Sequence, residues 1–467
     1  MTEDYRIFAP NIYVFAYSLR DGGAKNNPLW EYGDNILTHF TDENLTSKLI
    51  FPPNTPKRAD LMLDVALEFN HRDEDKPEIE GFARPVQLQD SYALWLNVGY
   101  NDEDTTAEAV AVDVLGQFNP ENCLIIPKDV PKHDKILGQT LLITGWIAAK
   151  TKQKDKEYLR KLADSCCEKL LGDKAPPFYR RGELFGSAIF EYGLVSDIAN
   201  YQQVMVWLFR DEIADNSYDE YQQEIVDLLF YRCKVIKAFQ DSRLIYAGLD
   251  KGYGELEQTL ETVQKKIESL GDTCLDKNSL QDFKTELKGL VKKSLPYTRL
   301  VRKLEDFGNV IEINLYNYNE TLGQIYATLG TDKEELAFLK TFAEETAPYF
   351  QRQIKADLGY FEHGTDLVGQ AIASIRGIVE INQAQLELEQ AGEEKKLEKE
   401  IQALGVGIAV GAIVASSSGL ITQPWRSPTA SDRSWYPHPF LGSIVLSLLV
   451  AWLSWLGMKW LQGRHHK

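Results

Sequence analysis

Apolar residues follow two different rhythms along this chain. Over the first 212 positions they come in short runs: Ile12–Ser18, Tyr92–Val98, Cys123–Ile126, Thr140–Ile147, Ser187–Tyr192 and Val204–Phe209. Runs of that length, rich in Val, Ile, Leu and aromatic residues, predict strands. Among them, Tyr158, Leu162 and Cys166 fall at helical spacing and predict a helix over Asp155–Leu171. A mixed α/β region over 1–212 is the expectation, with a boundary near Arg210–Ser217.

Beyond that boundary the spacing changes to alternating threes and fours. Tyr253, Leu256, Leu260, Val263, Ile267 and Leu270 form one seam. Leu280, Phe283, Leu287 and Leu290 begin another, with a break expected at Pro296. Thr331 and Glu334 match a capping box that starts the next helix. Leu358, Phe361, Thr365, Val368, Ile372, Ile375, Val379, Asn382 and Leu386 then sustain a heptad pattern, which predicts coiled-coil-like packing. Asn382 at a seam position either sets register or is an ordinary polar interruption. Residues from about 218 to 400 therefore read as long antiparallel helices, the last of them densely charged from Gly392 to Glu400.

Two uncharged stretches follow, 403–421 and 440–460, the second interrupted only by Lys459. Each is about the 20 residues a helix needs to cross a bilayer. Lys395, Lys396 and Lys399 precede the first, and Lys459, Arg464 and Lys467 flank the second. The positive-inside rule then predicts an integral, multi-pass membrane protein with both termini in the cytoplasm. Trp425, Trp435, Tyr436 and Trp460 fit interfacial belts. Ala403, Gly407, Gly411, Ala415 and Gly419 recur at every fourth position, on one helix face. Such a row reads as close helix packing in lipid, or as the wall of a narrow pore with the hydroxyls of Ser416, Ser417 and Ser418. Either reading implies several copies of the helix or tight packing against the second span.

Composition changes this picture little. The chain is 44% hydrophobic and 26% charged, with a formal net charge of −18. That balance argues against nucleic acid as a partner, because phosphate backbones need clustered Lys and Arg. The segment from Met1 to Tyr17 carries Glu3 and Asp4 and is broken by Pro10, so it lacks the pattern of a signal peptide. Cys123, Cys166, Cys167, Cys233 and Cys274 are odd in number, with no Cys-x-x-Cys spacing, which points to reduced thiols rather than a disulfide frame or a zinc site. The adjacent pair Cys166–Cys167 reads as packing. Acidic clusters at Arg72–Asp75 and Asn101–Asp104 read as loops. No phosphate-binding glycine loop, Gly-x-Ser-x-Gly elbow or His-Glu-x-x-His is present, so no catalytic residue is named and an enzyme is not expected.

The layout predicts an α+β cytoplasmic head, a long helical stalk and two C-terminal transmembrane helices. By residue these are a head over 1–212, a stalk over 213–402, spans over 403–421 and 440–460, an outer loop over 422–439, and a basic tail over 461–467. This architecture resembles the CorA-like magnesium transporter family and its zinc-transporting relatives. The resemblance implies a homo-oligomer, a pentamer, embedded in membrane lipid. It further implies Mg2+ or another divalent cation as the transported or regulatory ion, with no other cofactor. It would place Ile375, Val379 and Asn382 towards the stalk axis, and Gly407, Gly411, Ala415, Ser416, Ser418 and Gly419 along the pore. Residues that would hold a metal are not identified. Where that family carries Gly-Met-Asn, this chain reads Ser418-Gly419-Leu420, followed by Ile421-Thr422-Gln423, and Asp432 is the sole carboxylate of the loop. Two functions stay open: cation transport or its regulation, and a non-conducting, membrane-anchored helical scaffold or regulator that recruits a partner through the head.

Overall fold

A computed structural model describes residues 5–389 except 21–23, 53–56, 73–77, 101–107, 128–132, 149–154, 199, 271–276 and 330–332. The strands are β1 (Arg6–Leu19), β2 (Arg58–Asp60), β3 (Leu67–His71), β4 (Ile79–Leu88), β5 (Ser91–Tyr100), β6 (Val110–Ala111), β7 (Ile136–Trp146), β8 (Phe178–Leu184), β9 (Ser187–Tyr192) and β10 (Gln203–Phe209). The helices are α1 (Pro28–Leu37), α2 (Leu45–Lys48), α3 (Lys156–Leu171), α4 (Glu212–Leu270), α5 (Lys277–Leu329), α6 (Ala337–Thr341) and α7 (Ala347–Glu389).

All ten strands join one sheet, in the order β2-β4-β5-β1-β7-β10-β9-β8, with β3 also on β4 and β6 also on β1. The pairings are antiparallel except β7 with β10, which run parallel. Alternation along each strand sends side chains to opposite faces. Ile12, Val14 and Ala16 of β1, Leu94, Leu96 and Val98 of β5, and Val204, Val206 and Leu208 of β10 share one core with α1 and α3. The intervening residues face the first half of α4: Tyr13 packs on Tyr218, Tyr17 on Phe230, and the Tyr17 hydroxyl donates to the Val226 carbonyl at 2.8 Å. With both faces covered, β5 and β10 are buried at every position. This explains why their sequences are continuous apolar runs rather than alternating ones.

The long helices pack through heptad seams. In α4 the buried seam includes Leu228, Val235, Ser242, Leu249, Leu256 and Val263, each seven residues from the last. In α5 it is Leu290, Tyr297, Leu304, Ile311, Tyr318 and Ile325, and in α7 it is Ala347, Ile354, Phe361, Val368 and Ile375. Apolar residues at period seven bury one stripe along each helix. Of the described residues, those within 5–269 and 284–372 belong to one compact unit, and those within 277–283 and 373–389 to a second. Within the first, Phe239 of α4 stacks on Phe350 of α7 at 4.0 Å, and the Tyr297 hydroxyl of α5 donates to the Phe361 carbonyl of α7 at 2.6 Å.

Three expectations are corrected. Cys123–Ile126 is a turn after a short 3-10 segment at Pro120–Asn122, not a strand; its apolar side chains are buried, which the composition registers without fixing the backbone. The helix does not break at Pro296: α5 continues through it, because Tyr297 and the seam on either side hold both halves in place. Among the described residues, finally, no helix is long and apolar enough to cross a membrane, which overturns the integral, multi-pass localisation with cytoplasmic termini. The physical reason lies in α4, α5 and α7, whose apolar residues are interleaved with charged ones, as Asp227, Arg232, Lys234 and Lys237 interrupt the most apolar stretch of α4. The stretches 403–421 and 440–460, on which that expectation rested, lie outside the described residues.

Candidate functional site

The α4-facing side of the sheet carries Tyr13 and Trp207, which meet Tyr218, and Tyr17, which meets Phe230. Glu191 of β9 projects there, 1% exposed, and an isolated carboxylate in such a site would be strongly destabilising. Three donors converge on it. Arg180, its cross-strand partner on β8, donates Nε to Oε2 at 2.6 Å. Arg232 of α4 donates Nη2 to Oε1, and Gln203 of β10 donates Nε2 to the same oxygen at 3.0 Å. The Gln203 side-chain oxygen Oε1 in turn accepts from the Thr140 hydroxyl of β7 at 2.8 Å. Burial pushes the Glu191 carboxyl up, but Arg232 and Arg180 outweigh that and hold it below the usual carboxylate range. Burial works against the Arg232 cation, yet Glu191 more than compensates and keeps it protonated.

Both arginines also reach the segment ahead of α7. Arg180 lies 4.5 Å over the Phe338 ring and donates Nη2 to the Phe338 carbonyl at 3.3 Å. Arg232 lies 4.4 Å over Phe342, the first residue of a π-helical turn at Phe342–Thr346. Gly182 of β8 makes this approach feasible, since a Cβ there would stand 2.7 Å from the Phe338 ring. The Tyr318 hydroxyl of α5 donates to the Leu339 carbonyl at 2.9 Å, and the backbone N–H of Phe185, in the β8–β9 turn, donates to the Glu335 carbonyl at 2.9 Å. One buried carboxylate thus ties four strands to α4 and to the lead-in of α7. A π-turn inside a helical run is a frequent companion of functional sites.

What this cluster can do chemically is limited by its burial. Arg232 is 4% exposed, so the cluster is built to hold position rather than to meet a substrate. The described thiols are equally withdrawn: Cys123, Cys166, Cys167 and Cys233 are free and buried. Burial pushes Cys123, Cys167 and Cys233 up to about 12, so they are poor nucleophiles at neutral pH. Among the described residues no group of three His, Cys, Asp or Glu side chains is placed to hold a metal ion.

The residues singled out from sequence lie elsewhere. Gly407, Gly411, Ala415, Ser416, Ser418 and Gly419 are outside the described residues, as are Asp73–Asp75 and Asn101–Asp104 of the acidic clusters. Ile375 and Val379 lie on α7 and are covered within a single chain; the side chain of Asn382 is outside the described residues. Sequence reading names neither Glu191 nor Arg232. The available signals were a carboxylate inside the predicted strand Ser187–Tyr192 and a lone arginine within Leu228–Cys233. No family model, no curated protein and no solved structure matches this chain, so its resemblance to the CorA-like family rests on layout alone.

Proposed function

We propose that this chain is a non-catalytic regulator or scaffold, in which the α/β half receives a partner and the long helices carry the consequence. The observation that supports this reading is the Arg180–Glu191–Arg232 cluster, which bonds the sheet to α4 and to the segment entering α7. A sheet joined this way cannot shift without moving both helices. Buried ionic groups contribute little net stability compared with apolar packing, and their best-attested use is to fix register or to act in a switch. Divalent-cation transport, the other expectation of the layout, draws on 403–421 and is carried by no contact described above.

The test uses the full-length chain and its Glu191→Gln form, each first shown to be folded by circular dichroism. Hydrogen exchange should quicken in α4 over 218–240 and in 337–354 when the carboxylate charge is removed. Proximity labelling from the two forms in cells should then give different sets of neighbours. Unchanged exchange in both helices, or identical neighbour sets, overturns the reading; so does a turnover activity of the purified chain that Glu191→Gln leaves intact.

A further inference from the structure

Besides its buried seam, α7 carries a second one that stands largely in solvent. Tyr349, Gln353, Ala356, Tyr360, His363 and Leu367 follow one another at spacings of four and three. They lie on a different face from Ile354, Phe361 and Val368, and all but Gln353 are exposed. None of the six is Asp, Glu, Lys or Arg. Tyr349 is 53% exposed, Tyr360 51% and Leu367 43%. An uncharged heptad row with its large side chains in solvent is the surface by which one helix pairs with another.

Beside this row run Arg352, Lys355, Gly359, Glu362 and Asp366, all exposed. Arg352 and Lys355 are like-charged neighbours three residues apart, and Glu362 and Asp366 are like-charged neighbours four apart. On a lone helix such pairs repel. None of the four forms an ion pair within the described residues, whereas Lys237 and Asp241 of α4 satisfy each other at 2.8 Å. The order of signs says what covers the face. Two cations precede Gly359 and two anions follow it, and Arg352 and Asp366 stand equally far from it. A copy of α7 running the opposite way and crossing at Gly359 sets Arg352 against the partner's Asp366 and Lys355 against the partner's Glu362. Each pair then occurs twice by symmetry. The same register seats Tyr360 on the partner's Ala356 and Leu367 against the partner's Tyr349. The crossing point is open, since a Cβ added at Gly359 meets nothing within 4 Å. A parallel copy makes none of these four contacts. We propose that the chain forms a two-fold dimer through α7, antiparallel and centred on Gly359. Pairing through α7 does not involve Glu191, so the dimer stands whether or not that cluster transmits anything.

The test is cross-linking of the purified full-length chain with a short bis-maleimide, in a Cys274→Ser background that leaves only the buried thiols Cys123, Cys166, Cys167 and Cys233. Gly359→Cys and Gly369→Cys each add one thiol at an exposed position with room for a side chain. Antiparallel pairing at Gly359 brings the two copies of position 359 together and holds those of position 369 about 30 Å apart. Gly359→Cys should therefore give a covalent dimer whose yield rises with protein concentration, and Gly369→Cys should give none. Dimer at both positions marks a parallel pairing and overturns the proposal; so does dimer at position 369 alone, or at neither. Added to Gly359→Cys, Arg352→Glu or Asp366→Arg alone should weaken association about tenfold, because each sets two like-charged pairs across the interface. The two reversals together restore opposite signs and should return the yield. A yield that the single reversals leave unchanged, or that the double reversal does not recover, overturns the dimer as well, and the face then belongs to a different partner.

Discussion

At the residue scale, Glu191 is the side chain on which most depends. Glu191→Ala leaves Arg232 buried and unpaired, and equilibrium denaturation should register a loss of about 3–5 kcal/mol. Replacing Glu191 and Arg232 together by apolar residues of similar volume should recover much of that loss, because no uncompensated charge remains. The pH dependence has a definite sign. Because the folded-state carboxyl titrates below its ordinary value, the unfolded chain binds the proton more readily. The contribution of Glu191 is therefore complete above the ordinary carboxylate range and fades as pH falls through its depressed folded value. Acid unfolding followed by fluorescence should lose this component in Glu191→Gln. Gly182 gives a steric counterpart: Gly182→Val drives a side chain into Phe338 and should cost about 1–3 kcal/mol, measured by thermal unfolding.

At the scale of elements, sequence and structure agree where periodicity is strong. The runs Ile12–Ser18, Tyr92–Val98, Ser187–Tyr192 and Val204–Phe209 fall in strands, as does Thr140–Ile147 up to Trp146, and Asp155 caps α3 by accepting from the Tyr158 N–H at 2.8 Å. Asp155→Ala should therefore destabilise by about 1 kcal/mol in denaturant titration. β4 escapes sequence reading because Gly81, Arg84 and Pro85 interrupt its apolar pattern. Pro85 is tolerated because it falls between the stretches of β4 paired with β3 and with β2. Pro296 deceives in the opposite direction, since packing along a seam outweighs the bond that a helix loses at proline. Pro296→Ala restores a donor in mid-helix and should raise the unfolding midpoint of α5, followed by helical circular dichroism. The Glu191 cluster is invisible for a different reason: its members are scattered over β7, β8, β9, β10 and α4, and only the sheet order makes them neighbours.

At the scale of the whole molecule, the order of strands in the sheet is not the order in the chain. β1 is a central strand, flanked by β5 on one side and β7 on the other. During synthesis, β1 is made well before either neighbour: Leu19 pairs with Ser91, and Ser18 with Ile136. Until then, both faces of an apolar strand and both rows of its backbone groups stand open. Such long-range closure slows folding and exposes the chain to misassociation in the interval. β10, the parallel neighbour of β7, arrives later still, immediately ahead of α4, which covers the face carrying Tyr13 and Tyr17. A nascent chain arrested before β7 should thus bind general chaperones persistently, and one extended past α4 should release them.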